Sequence, residues 1–402
     1  MIRSTVTGIA KTLATVNRRV VRSSNNTLYF GNSSNSSSSR CLSTISINNN
    51  NKYQVRSYTT ETATTTEEQE EISIPYKFLT INKEQWEATL GKYKLPKTLE
   101  DQFTMVNKDR ATLLRKPAFE VIQWLNEMRE QQFIKDSESD YYKILDGRKG
   151  SGKSVALSQV VFWAQQQDWL VLYVPDAFNF INNGSLTKYT PNPLTFAQNE
   201  MCFEFLNQFL ELNSEKLKNI NLKTRFVIEY NNWTSSPDKT IYDLISGMKF
   251  DSATEVFYHF KKELNAVVEY PVLVAIDGYN LFFRASEYGD MYDPASFHRT
   301  LPVDRLLASS LLKDIKSHQL SNGVVVACTT DLLPKDAMYE YSSQENIVDV
   351  PKYSLYEARL FINYLVESGY LAKSPPQETI QYLYQMASGN PQDLWKLLRI
   401  MN

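Results

Sequence analysis

The sequence predicts an α/β protein with a mostly parallel sheet and flanking helices, and three observations carry that prediction. Short apolar runs of strand length recur at 142–145, 169–174, 271–276, 324–328 and 347–350. Segments with helical periodicity separate several of them, at 153–167, 255–267 and 303–317. The first run also ends in a loop crowded with Gly and Lys that passes straight into one of those helices.

The elements follow in chain order. Residues 1–60 carry eight basic residues and no Asp or Glu, and Ile2, Val6, Ile9, Leu13, Val16 and Val20 recur at steps of four and three. An Arg-rich, Ser/Thr-rich, acid-free amphipathic start is the pattern of a mitochondrial transit peptide, with cleavage expected near Tyr58. A basic arm or a membrane-surface helix is the other reading of this stretch. The Ser/Asn-rich segment at 23–51 cannot bury a core. We therefore expect residues 1–58 to be a transit peptide plus an unfolded segment, and 59–135 to be an N-terminal extension with helices. In that extension Phe119, Ile122, Trp124, Leu125 and Met128 keep helical spacing, and Pro117 suits a first turn.

The strand-and-helix alternation marks 136–352 as the main domain. The interval at 178–252 is too long for a simple crossover, so it is an insertion with its own helix near 198–212. After 353 the pattern turns wholly helical, at 355–368, 378–387 and a last helix entered through Gly389, Asn390 and Pro391. Asn390 suits an N-cap and Pro391 the first helical position. Residues 353–402 read as a small C-terminal helical lid.

Composition excludes several function classes. The whole chain carries 43 basic and 45 acidic residues, and loss of the first 60 would leave a distinctly acidic body. Such a body does not coat nucleic acid over its whole surface, although local basic patches remain. Cys41, Cys202 and Cys328 are far apart, and His259, His298 and His318 show no metal-ligand spacing. No stretch approaches the ~20 apolar residues of a membrane-spanning helix.

Chemistry concentrates in the loop. Gly147, Arg148, Lys149, Gly150, Ser151, Gly152, Lys153 and Ser154 match the phosphate-loop pattern G-x-x-x-x-G-K-[ST], with a strand before and a helix after. Glycines let the backbone curl until its N–H groups converge on phosphate oxygens, and the helix adds its positive end. Lys153 is expected to reach the β- and γ-phosphates, and the Ser154 hydroxyl to ligate Mg²⁺. A second carboxylate is needed at a neighbouring strand end, and Asp277, closing the run at 272–276, supplies it. The expected fold is thus a P-loop NTPase of AAA/STAND-like type. Thr329 and Thr330 end the next strand, where they could sense the γ-phosphate or be ordinary turn residues.

Two departures favour gripping over cutting. In the additional-strand class of P-loop proteins, which this order of strands resembles, a catalytic glutamate usually follows the strand-end aspartate, but Gly278 stands here. Loss of a base that orients water removes a rate factor of roughly 10²–10⁴. Glu229, which ends the apolar run at 226–228, is a substitute in position, but nothing in the sequence places it near the nucleotide. The last helix also carries Gln392 one position after Pro391, where AAA-type proteins commonly place an Arg. No catalytic residue is assigned.

The stretches "GRKGSGKS", "QQDWLVLYVPDA", "VLVAIDGYNLFFR" and "NPQDLWKLL" together resemble the death-associated protein three family, from about Arg110 to the C-terminus. The resemblance implies a GTP-binding P-loop component of the mitochondrial small ribosomal subunit, in the matrix, serving mitochondrial translation. It implies GTP or GDP with Mg²⁺, held by Gly147, Gly152, Lys153, Ser154 and Asp277. Implied partners are small-subunit ribosomal proteins, mitochondrial rRNA at local basic patches, and the large subunit across a bridge. No N-K-x-D motif stands on a strand end, so guanine rests on the resemblance alone. Candidate rRNA patches are Arg110/Arg115/Lys116, Lys216/Lys218/Lys223/Arg225 and Lys261/Lys262. The aromatic run Tyr279, Phe282, Phe283, Tyr288 and Tyr292 is either core or interface. The competing reading is an AAA/STAND-like matrix ATPase acting as an oligomeric switch, with Arg284, Arg299 or Arg305 as its finger.

Overall fold

The computed structural model describes residues 77–104, 110–134, 141–192, 194–289, 300–314, 320–331 and 334–401. The expected transit peptide, Arg299 and Tyr292 lie outside them. Five strands form one parallel sheet: β3 (Tyr142–Asp146), β4 (Leu170–Val174), β5 (Val272–Asp277), β6 (Gly323–Cys328) and β7 (Ile347–Asp349), in the order β7-β3-β6-β5-β4. Register is set by pairs such as Ile347 with Ile144, Leu145 with Cys328, Ala327 with Ile276, and Ile276 with Val174. The apolar runs read from the sequence are these strands. β5 and β6 are buried along their whole length, as expected of central parallel strands covered on both faces.

Period-two alternation distributes each strand between two cores. Ile144, Leu172, Val274 and Ile276 face one hydrophobic cluster, shared with α3 (Asn199–Leu217) and α4 (Ala253–Asn265). Leu145, Val171, Tyr173, Leu273, Ala275 and Val326 face the other, shared with α2 (Lys153–Gln166) and α1 (Lys116–Glu130). α2 has Ala156, Leu157, Val160, Val161, Phe162 and Ala164 all buried, so it is an interior helix with apolar residues around its circumference.

An antiparallel pair of strands, β1 (Lys77–Ile81) with β2 (Arg110–Leu114), precedes α1 and packs on the same side as α2. The sequence reading missed this pair because a helical excursion separates two short strands. The segment expected as one helix at 303–317 is split: a 3₁₀ turn at Val303–Arg305, then a helix at Leu307–Lys313, with Leu306 extended between them.

Three helices complete the described chain, α5 (Leu355–Glu367), α6 (Gln377–Met386) and α7 (Pro391–Met401), packed around their own cluster of Ala358, Ile362, Leu365, Ile380, Leu383, Leu394 and Leu398. Ser354 starts α5 with a capping box: its hydroxyl accepts from the Glu357 N–H at 3.1 Å, and the Glu357 carboxylate accepts from the Ser354 N–H at 2.8 Å. Asn390 caps α7, its side-chain oxygen accepting from Gln392 N–H at 3.0 Å, and Pro391 takes the first helical position. Among the described residues no helix is long and apolar enough to cross a membrane.

Candidate functional site

The loop 147–154 leaves the end of β3 and enters α2. Gly150 and Gly152 adopt φ of +80° and +101°, the left-handed region that glycine occupies without a Cβ penalty. These turns aim the loop into a cavity of about 910 Å³, lined by Lys149 to Ser154 together with Asp277, Thr329, Thr330 and Asp331. Gly147 and Arg148 do not line it. Their carbonyl oxygens accept from Lys153 Nζ, at 2.6 and 2.9 Å. The Lys153 ammonium also lies 3.9 Å from Asp331, and burial lowers its pKa, partly countered by that carboxylate.

The two residues expected to hold magnesium meet. Asp277 is buried at the end of β5, on the cavity wall, and burial pushes its carboxyl up to about 6, against hydrogen bonds from the Cys328 thiol and the Ser154 hydroxyl that lower it. The thiol contact is 2.9 Å. Beyond Asp277, Gly278 takes φ +81° and donates its N–H to Cys328 at 2.9 Å, so the chain turns away with no carboxylate following. Behind the loop, Asp146 is held at about 2: burial raises it, but bonds from Lys335, Thr329 and Tyr339 outweigh that. Lys335 bridges Asp146 and Asp331, at 2.7 and 2.6 Å.

Arg115, expected as part of a surface basic patch, is instead buried at the centre of the site. Its guanidinium pairs with Glu357, Nε to Oε1 at 2.6 Å, and donates to the carbonyls of Ser151, Pro351 and Lys352 at 2.8, 2.9 and 3.1 Å. The planar fork suits several acceptors at once. α7 touches the loop as well: Asn390 Nδ2 donates to Lys149 O at 2.7 Å, and Gln392 N–H to Gly150 O at 3.3 Å. Lys396 and Arg399, one and two turns beyond Gln392, line the same cavity. The sequence reading looked only at the position after Pro391 and missed both, although their helical spacing was there to see.

Other expected groups lie elsewhere. Glu229 sits in a 3₁₀ turn after a short hairpin strand and does not line the cavity. Tyr279 and Phe282 are fully buried, so this part of the aromatic run is core. Lys261 is buried and donates to Leu311 O, and Lys216 donates to Trp169 O at 2.8 Å; both are tied to the fold rather than presented to phosphates. Arg110 lies over the Trp86 ring at 4.4 Å.

The donor set suits a nucleoside triphosphate with magnesium. The Ser151 hydroxyl is buried in the loop without a hydrogen-bond partner, the loop glycines hold the needed φ, and a hydroxyl and a carboxylate sit together where phosphate-bound magnesium takes its few protein ligands. Among the described residues no cluster of three or more His, Cys, Asp or Glu could hold a metal on its own.

The sequence profile of the family described as mitochondrial ribosomal death-associated protein 3 matches residues 112–342, more than half of the 402-residue chain. Relatives named small ribosomal subunit protein mS29 include one from Bos taurus, 26% identical over 244 residues, covering 58% of this chain and 59% of that protein. The Mus musculus protein is 24% identical over 307 residues, covering 71% and 75%. The one from Schizosaccharomyces pombe is 26% identical over 316 residues, covering 70% and 63%. The match thus spans about three fifths of the length of the bovine and fission-yeast relatives. A solved structure described as Drosophila ORC bound to DNA gives a TM-score of 0.35 at 10% identity, over 71% of this chain and 60% of that one, a likeness too loose to carry argument. The profile match is decisive: the chain belongs to the mitochondrial ribosomal death-associated protein 3 family.

Proposed function

We propose that this protein is a structural constituent of the mitochondrial small ribosomal subunit in the matrix, supporting mitochondrial translation, and that it holds GTP or GDP with Mg²⁺ as a structural or slowly hydrolysed ligand. One observation carries the nucleotide part: the loop 147–154 is gripped from both sides, by Arg115 through Ser151 and by α7 through Lys149 and Gly150. A ligand in that loop would fasten the sheet domain to the C-terminal helices. Backbone N–H groups of the loop and Lys153 would take the phosphates, and Ser154 with Asp277 would hold the magnesium ion. The ion supplies charge neutralisation across the phosphates.

Support for the P-loop NTPase type is the strand order, in which β6 separates the loop strand β3 from the aspartate strand β5. That is the arrangement of the additional-strand class. In this reading α5 to α7 are the lid. The same order keeps the AAA/STAND-like ATPase as the second reading, but its other requirements find little support. Gly278 stands where a catalytic carboxylate belongs, Arg284 pairs with Glu287, and Arg305 lies 5.1 Å over the Phe196 ring and donates to Leu194 O at 3.0 Å.

Gradient sedimentation of mitochondrial extract, with native mass spectrometry of the purified chain, tests both readings. We expect co-sedimentation with the small subunit and one retained guanine nucleotide with little turnover. ATP-dependent rings with steady hydrolysis would replace this proposal with the second.

A further inference from the structure

The cavity that begins at the loop is larger than a triphosphate alone needs, and its far walls differ in chemistry. Phe361, Tyr370 and Trp395 line one side, with the Tyr370 and Trp395 rings 5.0 Å apart. On the N-terminal side the cavity is lined by Thr98, Asp101 and Gln102. These three sit at i, i+3 and i+4 on the helix Lys97–Thr104, whose opposite face buries Leu99 and Phe103. Ala111, Thr112 and Leu113 of β2 line the cavity as well. A nucleoside attached to phosphates in the loop has this space to enter: an apolar wall for the base face and a polar row for its edge.

Resting on the nucleotide reading above, we propose that Thr98, Asp101 and Gln102 form the base-reading edge of the site, and that the Asp101 carboxylate selects guanine over adenine. Guanine presents two neighbouring donors, N1–H and the exocyclic N2–H₂, and a carboxylate accepts from both at once. Adenine presents an unprotonated N1 there, whose lone pair faces the carboxylate without a proton between them. Discrimination of this kind is strong because the mismatched pair leaves polar groups unpaired. The sequence lacks N-K-x-D, but this edge places the same acceptor chemistry on a different element. The chain segment that carries it precedes the loop by about fifty residues and has no motif to announce it.

The test is equilibrium titration of the purified full-length chain, stripped of nucleotide, with the magnesium complexes of GTP, ITP, XTP and ATP. Asp101→Asn keeps the shape of an exposed side chain, and its melting temperature without nucleotide separates any change in folding from a change in binding. We expect the parent to prefer GTP over ITP, which lacks N2–H₂, and ITP over ATP. In Asp101→Asn, GTP affinity should fall roughly 10- to 100-fold, the range for a hydrogen bond to a charged group. XTP should gain, because an amide donates to the xanthine O2 while accepting from N1–H, and ATP should gain too, because the amide N–H can donate to the adenine N1 that faced the carboxylate. Unaltered GTP and XTP affinities in Asp101→Asn would overturn the base-reading edge and leave phosphate binding standing. A parent that binds none of the four, or a Lys153→Ala variant that binds GTP as tightly as the parent, would overturn the nucleotide reading and this inference with it.

Discussion

Arg115 and Glu357 form a buried ion pair across 242 positions of sequence, with Nε to Oε1 at 2.6 Å and a second nitrogen to Oε2 at 3.2 Å. Their side chains are 9% and 6% exposed. Glu357 simultaneously closes the α5 capping box, so one carboxylate starts the helix and receives the arginine that holds the loop. Removing one partner leaves the other charge buried alone. We expect Arg115→Ala or Glu357→Ala to cost about 3–5 kcal/mol in denaturant unfolding. The double variant Arg115→Ala/Glu357→Ala should lose less than the sum of the single losses, and a strictly additive result would show that the two are not coupled.

Gly150 should tolerate no side chain, for two separable reasons. Its φ is +80°, and a Cβ there would lie 2.5 Å from Asn390 Oδ1 on the α7 cap. Gly369 has a similar φ of +77° with nothing within 4 Å, so it provides the control for backbone strain alone. Gly369→Ala should cost about 1 kcal/mol and Gly150→Ala some 1–3 kcal/mol. Limited proteolysis should also cut α7 faster in Gly150→Ala. Equal losses and equal cleavage would mean that the loop does not bear on α7.

His259 should give the protein a distinct acid sensitivity. Its ring stacks on Phe226 at 4.0 Å, and burial, with Lys262 nearby, lowers its pKa to about 4. The unfolded chain binds the proton near pH 6.5, so the folded state binds fewer protons between the two values. Stability therefore falls as pH drops from about 6.5 toward 4. Carboxylates add their own acid dependence, so the measurement is the difference between parent and His259→Phe over that range. A gap that does not change with pH would rule the effect out.

Legibility in the sequence followed how local each feature was. The loop is contiguous, Asp277 ends an apolar run, and the five strands of the sheet are runs of strand length between helical segments, so each could be read from neighbours alone. Asn390 and Pro391 were equally local as a cap and a first helical residue. Arg115 was not: nothing around it says that its partner is Glu357, and a basic residue between Leu114 and Lys116 reads as surface. The same holds for Lys261, whose acceptor at Leu311 lies 50 positions away. The pair β1 and β2 escaped because their pairing spans two intervening helices, so neither strand has its partner nearby in sequence. For the aromatic run, composition allowed core or interface, and packing decides for Tyr279 and Phe282, which are core.

The nucleotide proposal makes a linkage prediction that Lys153 and Asp277 test in different ways. A ligand that binds only the folded state stabilises it by mass action, about 2.7 kcal/mol at a hundredfold excess over Kd. We expect Mg·GTP to raise the parent's melting temperature accordingly, and EDTA to remove most of that gain. Lys153→Ala should lose the gain entirely. In the absence of nucleotide the same variant forfeits the bonds to the Gly147 and Arg148 carbonyls and the ion pair with Asp331, so its basal stability should fall by less than the ligand's contribution. Asp277→Asn should retain some GTP response while losing its dependence on magnesium, because the amide keeps the shape of the site without its charge. A parent whose melting temperature is indifferent to GTP and magnesium would leave the gripped loop with a purely architectural role.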